Sequence, residues 1–400
     1  MTDRIRIVDF STHLSGPMAS HLLVGLGAEV VKIENPRTGD GNRGMPPLLR
    51  GDGSGIFHAM LNAGTKSLAI DKNSPHWSAV VAAATEWADA VIVGARPKDA
   101  HRMGIGFEDL AGIKRNLIYC QISGYGESGP WKDYTAHGQQ PDAWAGYVPI
   151  RWVDGMPETE PRWRSAGTTL AGAFAALGIL AEIANQSKNE MTGPRKINVS
   201  LWRSAMWWQW RDFVTHATNG EQWTDYSDLG SRYALYPTSD HRAILLAPSE
   251  RKFWHAFVDL LQLPPDWKDE GNWSVGTMDM GAGDDYAHER QAIAAITVKK
   301  PLDHWIKAFE TTDIPFAPVL DWIESYESEH AEAEGIWSST VVDGKPTRIM
   351  APPAVIRLEN GTIANHSDTF PSPPGLGADS AEVLRKFGVG HLIDALDEFN

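Results

Sequence analysis

The sequence predicts an α/β protein in which a large domain with a parallel sheet is joined to a smaller α+β domain. In the first half, short apolar runs alternate with helical patterns, and this succession is typical of a parallel sheet wrapped by helices. After about residue 225 a hairpin pattern and amphipathic helices replace the alternation. A chain of 400 residues is also long enough for about two domains.

The first-half elements follow one another in regular order. The predicted strands are IRIVDF, AEVVKIE, KSLAID, DAVIVG and NLIYCQIS, and the helices between them include GPMASHLLVGLG, SPHWSAVVAAATEWA and GFEDLAGIKR. Pro17 suits a first helical position, and Gly25 and Gly27 end that helix. A long apolar helix is expected over 168–186, and RKINVSLWRSAMWWQW predicts a strand that runs into a Trp-rich helix.

The second half begins with a hairpin pattern. YALYPTSDHRAILLAP predicts the hairpin, and ERKFWHAFVDLLQL and VKKPLDHWIKAFETT predict amphipathic helices. The tail contains strand-like TRIMAPPAVIRL, a Pro-rich stretch and a last helix, SAEVLRKFG.

Charge and composition exclude several classes of function. The net charge of −15 argues against nucleic acid as a partner. The single cysteine, Cys120, lies in an apolar run and excludes a disulfide framework or a cysteine-rich metal site. No metal-binding motif stands out, the N-terminus does not resemble a signal peptide, and the apolar stretch near 168–184 is expected to be too short and broken for a bilayer. We therefore expect a cytoplasmic protein without metal or membrane partner.

Tryptophan is abundant, with 17 residues, and Trp202, Trp207, Trp208 and Trp210 crowd one segment. These four residues are interpreted either as core or subunit-interface residues or as the wall of an apolar ligand pocket. Both interpretations stay open.

The segments taken together resemble the class III CoA-transferases. IVDFSTHLSGPMASHLLVGLGAEVVKIE, LNAGTKSLAID, ADAVIVGARPKDAHRMGIGFEDL, LAGAFAALGILAEI, DIPFAPVL and GADSAEVLRKFG follow in the order of that family over almost the whole chain. The family includes carnitine and bile-acid CoA-transferases, formyl-CoA transferase and the α-methylacyl-CoA racemases. The resemblance implies a Rossmann-like large domain built from both chain ends and two interlocked chains, in a homodimer or a heterodimer. It gives boundaries of 1–205 for the large domain, 206–229 for a linker helix, 230–325 for the small domain and 326–400 for the return.

The resemblance also implies a chemistry. In the family an aspartate attacks an acyl-CoA thioester, and CoA passes to a carboxylic acid through enzyme-bound intermediates. The position that matches this aspartate is Thr168. A threonine hydroxyl attacks only with an activating base, and the sequence places none beside it. Thr168 is therefore interpreted as a catalytic residue or as a helix cap.

A second candidate catalytic residue is His137, which matches the catalytic histidine of the racemases. It precedes Gly138, where the racemases have aspartate. A histidine exchanges protons near neutral pH, but His137 is equally interpretable as a structural loop residue. Asp142 is a candidate replacement for the missing carboxylate, if it lies on the same pocket wall.

The resemblance implies CoA or acyl-CoA as the bound substrate, held by Arg43, Lys66, Arg102 and Met103. Arg96, in ARPK, is a further basic candidate. Guanidinium groups suit the phosphates of CoA. The sequence departs from the family pattern at Gly94–Ala95, at Asn35, and in APSERK, which keeps Glu250 but has no glycine.

Three functions remain open from the sequence. The chain either transfers CoA between a thioester and a carboxylic acid by a modified route, or acts as a racemase- or lyase-type enzyme through His137, or is the non-catalytic subunit of a heterodimer. The Trp-rich segment favours a bulky apolar acyl group.

Overall fold

The computed structural model describes residues 4–49, 53–188, 193–220, 230–273, 278–282, 286–356, 359–360 and 369–397. The chain forms two compact units, Met1–Phe213 with Glu332–Asn400 and Val214–Ala331. The predicted combination of helices with a parallel sheet is confirmed.

The larger unit is built on strands that alternate with helices. Its strands up to residue 200 are β1 (Arg6–Asp9), β2 (Glu29–Glu34), β3 (Lys66–Ala69), β4 (Ala90–Val93), β5 (Ile118–Ser123), β6 (Ile150–Val153), β7 (Met156–Thr159) and β8 (Arg195–Ser200). The helices over the same stretch and just beyond are α1 (Ser15–Gly25), α2 (Ile56–Leu61), α3 (Trp77–Trp87), α4 (Pro97–Arg102), α5 (Phe107–Ala111), α6 (Gln139–Trp144), α7 (Ala166–Ser187), α8 (Leu201–Trp208) and α9 (Trp210–Asn219).

Six of these strands form a parallel sheet in the order β3–β2–β1–β4–β5–β8. β1 lies at the centre, with Val8 opposite Val31 on one side and Val91 on the other. The chain moves outward from β1 first in one direction and then in the other. The loops after β1 and β4 therefore separate at the carboxyl edge and leave a crevice there, where open α/β sheets bind ligands.

The sheet is buried on both faces, which explains why its strands read as continuous apolar runs. One face packs against α3 and against helical residues near the C-terminus, among them Val383, Leu384 and Leu392. The other face packs against α1 and α7. Gly172 lets α1 and α7 approach closely, because a Cβ there would lie 2.7 Å from both the Met18 side chain and the Ser15 carbonyl.

α7 is longer than predicted. It has 22 residues and is, among the described residues, the one helix long and apolar enough by length and composition to cross a membrane. The expectation that this stretch is too short is therefore wrong. Ala171, Ala175 and Ile179 of α7 are buried against the sheet, and a core helix passes the same test of length and composition.

The smaller unit contains the strands β9 (Ala234–Pro237), β10 (Ala243–Leu246) and β11 (Phe316–Pro318), which form an antiparallel sheet in the order β11–β10–β9. The predicted hairpin pairs Ala243 of β10 with Pro237 of β9.

The strands β12 (Trp337–Val342) and β13 (Lys345–Met350) follow in the chain and belong to the larger unit. The remaining helices are α10 (Arg251–Leu261), α11 (Ala287–Thr297), α12 (Leu302–Glu310), α13 (Trp322–Tyr326), α14 (Glu329–Ala333), α15 (Ser380–Lys386) and α16 (Ile393–Asp397), with short 3-10 helices at Pro265–Lys268 and Gly390–Leu392.

Two predicted segments differ in the structure. The strand expected over 347–358 ends at Met350, because Pro352 and Pro353 cannot continue a ladder; residues 357–358 lie outside the described residues. The helix expected over 206–229 is divided into α8 and α9, and residues 221–229 are likewise outside them.

Candidate functional site

A cleft of about 840 Å³ opens at the carboxyl edge of the sheet, where the loops after β1, β4 and β5 meet. This size is within the usual range for sites that bind organic molecules. The residues that line the cleft include Thr12, His13, Leu14, Gly94, Ala95, Arg96, His137, Gly138 and Thr168. The cleft thus lies at the position that the strand order predicts.

Two histidines lie side by side in the cleft. The rings of His13 and His137 are 5.7 Å apart and meet edge to face. His13 has a φ of 71°, a left-handed conformation that costs a non-glycine residue about 1 kcal/mol or more. Its N–H donates to Asp40 Oδ1 at 2.7 Å, which helps to hold this backbone in place. The sequence predicts a role for His137 but none for His13, whose only signal is its place in the loop after the first strand.

A buried network of three charged side chains, Lys32, Asp9 and Asp40, lies beside the loop that carries His13. Lys32, 1% exposed, lies 2.8 Å from Asp40 Oδ2 and 3.2 Å from Asp9 Oδ2. Burial opposes the charge on Lys32, but the two carboxylates raise its pKa above the ordinary value. Burial likewise opposes ionisation of Asp40, while Lys32 holds the pKa of that carboxyl below its usual range. The network is therefore charged and fixes the loop that carries His13.

Thr168 lies in the first turn of α7 and is 5% exposed. The residue that caps α7 is Ser165, whose Oγ accepts the N–H of Thr168 at 3.2 Å. Thr168 is thus not the helix cap that sequence analysis considered. Its own hydroxyl lies 2.7 Å from Ser165 Oγ.

Asp142 lies directly behind this turn. It is fully buried, hydrogen-bonds to Ser165 Oγ through Oδ2, and accepts the N–H of Gly167 at 2.9 Å through Oδ1. Asp142 is not among the residues that line the cleft, so it does not stand on the pocket wall as a replacement carboxylate. The N–H groups of Gly167 and Thr168 are already bonded and are not free for a substrate.

A second, apolar pocket of about 190 Å³ adjoins the cleft. The two cavities share Leu14 and Thr168. The other residues that line the pocket are Met18, Ile56, Phe57, Met60, Leu61 and Thr169. Thr168 therefore lies where the larger cleft meets a smaller and more apolar pocket, which is suited to an aliphatic group.

The Trp-rich segment lies elsewhere. Trp207, Trp208 and Trp210 are exposed large side chains, and neither cavity is lined by them. The predicted apolar acyl site is therefore not assigned to these three tryptophans, which line neither cavity.

The residues predicted to hold CoA are spread over the large unit. Arg96 is the one arginine among the described residues that line the cleft; it donates to Asp99, to the Asp133 carbonyl and to Thr135 Oγ1. Gly94 and Ala95, where the sequence departs from the family pattern, also line the cleft.

The other four predicted CoA residues lie outside the cleft lining. Lys66 pairs with Glu382, Arg102 is 73% exposed and pairs with Asp99, and Met103 packs on the core beside α3. Arg43 donates to Glu34 at 2.7 and 2.8 Å and to the Pro374 carbonyl at 3.0 Å.

Arg43 and Arg96 are expected to respond differently to substitution. Arg43→Met leaves Glu34, 1% exposed, without its guanidinium partner and should cost about 3 kcal/mol of unfolding free energy. Arg96→Met should weaken CoA binding about tenfold, because one charged donor to phosphate is lost. Urea denaturation and calorimetric titration with CoA measure the two effects. Weaker CoA binding by a stably folded Arg43→Met protein would contradict this assignment.

Comparison with known proteins places these features in a family. A family model described as CoA-transferase family III matches residues 3–380. A succinate–glutarate CoA-transferase of Agrobacterium fabrum is 25% identical over 407 residues, covering 95% of this chain and 94% of its own. The human α-methylacyl-CoA racemase is 23% identical, covering 96% and 92% of the two chains.

A solved structure has the same fold. A CAIB/BAIF family protein from Brucella suis superposes with a TM-score of 0.75 at 18% identity, covering 96% of this chain and 98% of its own.

Proposed function

The chain belongs to CoA-transferase family III, and from that premise we propose that it transfers CoA from an acyl-CoA with an apolar acyl group to a carboxylic acid. The observation that carries this proposal is the meeting of the cleft and the apolar pocket at Leu14 and Thr168. An acyl-CoA molecule also has two different parts. A polar nucleotide and pantetheine arm lies on one side of the thioester carbonyl, and a hydrocarbon chain lies on the other.

The acyl group would occupy the apolar pocket, and the CoA arm would follow the cleft past Arg96. The net reaction exchanges an acid for an acid: the acceptor carboxylate attacks the thioester carbonyl, and the CoA thiolate leaves. The thiolate then attacks the acceptor carbonyl of the resulting anhydride, which releases the donor acid. In this route the acceptor supplies the carboxylate that the family places at the position of Thr168.

The test is calorimetric titration of the full chain with CoA, acetyl-CoA and octanoyl-CoA, followed by turnover with a panel of carboxylic acids. We expect binding of all three, tightest for octanoyl-CoA, and an acceptor-dependent new thioester detected by mass spectrometry. Binding without any new thioester would reject CoA transfer. No binding to the chain alone would instead point to a non-catalytic subunit that needs a paralogous partner.

Filling the apolar pocket should separate acyl selectivity from CoA binding. Met60 lines this pocket, and Met60→Trp places an indole in it. We expect octanoyl-CoA to bind about tenfold more weakly, since roughly two methylenes lose their burial at about 0.8 kcal/mol each. The affinity for free CoA should stay unchanged, and an equal loss for acetyl-CoA and octanoyl-CoA would place the acyl group elsewhere.

The paired histidines favour a second candidate, a racemase- or lyase-type reaction. Either imidazole can remove a proton from the carbon next to the thioester carbonyl and return one to it. The 5.7 Å contact between His13 and His137 brings both to the same part of the cleft.

The measurement is deuterium incorporation at the α-carbon of octanoyl-CoA in D₂O. We expect His137→Ala and His13→Ala each to slow it about 100-fold or more. His391→Ala, at an exposed histidine of the C-terminal segment, is the matched control. Wild-type protein that binds octanoyl-CoA without exchanging deuterium would exclude this second candidate.

We also propose that two chains associate. Large apolar side chains are exposed in the larger unit, including Trp152 and Met156 in the β6–β7 hairpin and Trp207 and Trp208 in α8. Exposed apolar groups in such number are typical of an interaction surface. Light scattering should give about twice the chain mass of 44.0 kDa, and a monomer would favour the heterodimer with a paralogous chain.

A further inference from the structure

A chain of hydrogen bonds connects the cleft to a buried carboxylate. Thr168 Oγ1 lies 2.7 Å from Ser165 Oγ, and Ser165 Oγ bonds in turn to Asp142 Oδ2. Thr168 borders the cleft and the apolar pocket, whereas Asp142 is fully buried. We call these three residues the hydroxyl relay.

The neighbouring hydrogen bonds are compatible with proton transfer from Thr168 through Ser165 to Asp142. The Gly167 N–H occupies Asp142 Oδ1, and the Thr168 N–H already points at Ser165 Oγ. With Asp142 ionised, Ser165 donates its own proton to Oδ2, and its oxygen is then an acceptor for the Thr168 hydroxyl. Ser165 Oγ and Thr168 Oγ1 also lie 3.5 Å from the Gly138 carbonyl, so each hydroxyl has a second, longer acceptor contact.

Gly167 keeps this arrangement tight. A Cβ at position 167 would lie 2.5 Å from the Leu201 carbonyl and 2.7 Å from Asp142 Oδ1. Only a residue without a side chain therefore lets Asp142 come this close to the helix turn. Burial raises the pKa of Asp142, while the bonds from Ser165 and Gly167 act in the opposite direction. A carboxylate with a raised pKa is a better proton acceptor than an ordinary one.

We propose that Thr168 takes the acyl group from acyl-CoA as an ester, with Asp142 as the final proton acceptor through Ser165. This inference rests on the proposed function to the extent that acyl-CoA must bind in the cleft. It assigns the base that sequence analysis could not find: Asp142 lies 26 residues before Thr168 in the chain, and only the fold brings the two together.

The Thr168 oxygen bonds to the thioester carbon, its proton passes to Ser165, and the Ser165 proton passes to Asp142. The carbon–sulfur bond breaks and CoA leaves as thiolate. Asp142 then gives up the proton that it received, and the thiolate becomes the thiol. Water then attacks the ester, regenerates the Thr168 hydroxyl and releases the acid. An ester on Thr168 cannot carry CoA, because an enzyme–CoA thioester needs a side-chain carboxyl group. The further activity is therefore hydrolysis of acyl-CoA when no acceptor acid is present.

The experiment incubates the full chain with octanoyl-CoA alone, quenches it in acid, and maps the adduct by mass spectrometry. We expect an octanoyl ester on the peptide that contains Thr168 and a burst of free thiol equal to the amount of enzyme. Thr168→Val should abolish both, and Thr168→Ser should restore them. A wild-type protein that binds octanoyl-CoA but forms no adduct, or an adduct that persists in Thr168→Val, overturns the proposal.

The role of Asp142 is tested by a separation of rate from affinity. Asp142→Asn should slow acylation at saturating octanoyl-CoA about 100-fold or more and leave the dissociation constant of octanoyl-CoA within twofold. Ser204→Ala is the matched control, since it removes another buried hydroxyl, on α8, that bonds only to the Ser200 carbonyl among the described contacts. Equal acylation rates for Asp142→Asn and wild type would reject Asp142 as the proton acceptor. Should Asp142→Asn fail to fold, Ser165→Ala interrupts the same relay and gives the same readout.

The outcomes separate this inference from the proposed function. CoA transfer to an acid without any Thr168 adduct rejects the inference alone. An adduct without transfer rejects CoA transfer alone, and the absence of binding rejects both.

Discussion

Replacing Lys32 by Met is expected to lower the free energy of unfolding by about 3–5 kcal/mol. The substitution keeps most of the side-chain volume but removes the ammonium group between Asp9 and Asp40, both fully or nearly fully buried. Two carboxylates then remain in a site with little solvent, and one of them must be neutralised. Because protein domains are stable by roughly 5–15 kcal/mol, this loss is a large fraction of the total free energy of unfolding.

Urea denaturation measures the change, and Lys66→Met is the matched control. Lys66 pairs with Glu382, whose side chain is 59% exposed, so its loss should cost less than about 1 kcal/mol. Similar midpoints for the two variants would mean that the network under the cleft is not a charged one. In partly folded Lys32→Met protein we also expect the His13 loop to be the first part to lose its order, because Asp40 holds the His13 N–H.

Arg232→Met is expected to destabilise the smaller unit by a similar amount, about 3–5 kcal/mol. Arg232 is fully buried, lies 2.5 Å from Glu289 and stacks over Trp254 at 4.1 Å from the ring centre. Its loss removes the partner of the buried Glu289 carboxylate and a cation–π contact in a low-dielectric core. Thermal unfolding followed by tryptophan fluorescence should show the change, since Trp254 lies directly under the guanidinium.

Arg242→Met is the comparison for this variant, because Arg242 forms a half-exposed pair with Glu324. That substitution should shift the free energy of unfolding by less than about 1 kcal/mol. The combined variant Arg232→Met with Glu289→Gln should recover part of the loss, since it leaves no buried charge at position 289. No recovery in the double variant would show that the charge on Glu289 does not dominate the effect, and would assign it to packing around Trp254 or to Asp279, which lies 3.5 Å from the guanidinium.

The fold was predictable where periodicity was strong. The apolar runs around Val8, Val31 and Val91 form strands of a sheet that is covered on both faces. In such a sheet every side chain of a run such as AVIV is buried, so the run is apolar throughout. The β6–β7 hairpin was not predictable in the same way. Its residues are all exposed, so neither alternation nor a continuous apolar run marks it.

The candidate site was only partly predictable, for a related reason. His137 and Thr168 could be found because they occupy marked positions in a family pattern. The place of His13 in the cleft could not be predicted, since it depends on a left-handed backbone conformation that the sequence does not indicate. Arg43 matched a CoA-binding position, yet the structure gives its guanidinium to Glu34, because a nearly buried carboxylate needs a permanent partner. The relay from Asp142 to Thr168 arises from side chains of two separate helices, which no single window of sequence contains.

The backbone of His13 has a consequence for the adaptation of this enzyme. A glycine at position 13 would adopt a φ of 71° without steric cost, so His13→Gly trades one imidazole for about 1 kcal/mol of stability. Selection for heat resistance alone would therefore draw this chain toward glycine at that position. In the racemase- or lyase-type reaction proposed above, selection for turnover would oppose this change, so the residue at position 13 would reflect the balance between stability and activity.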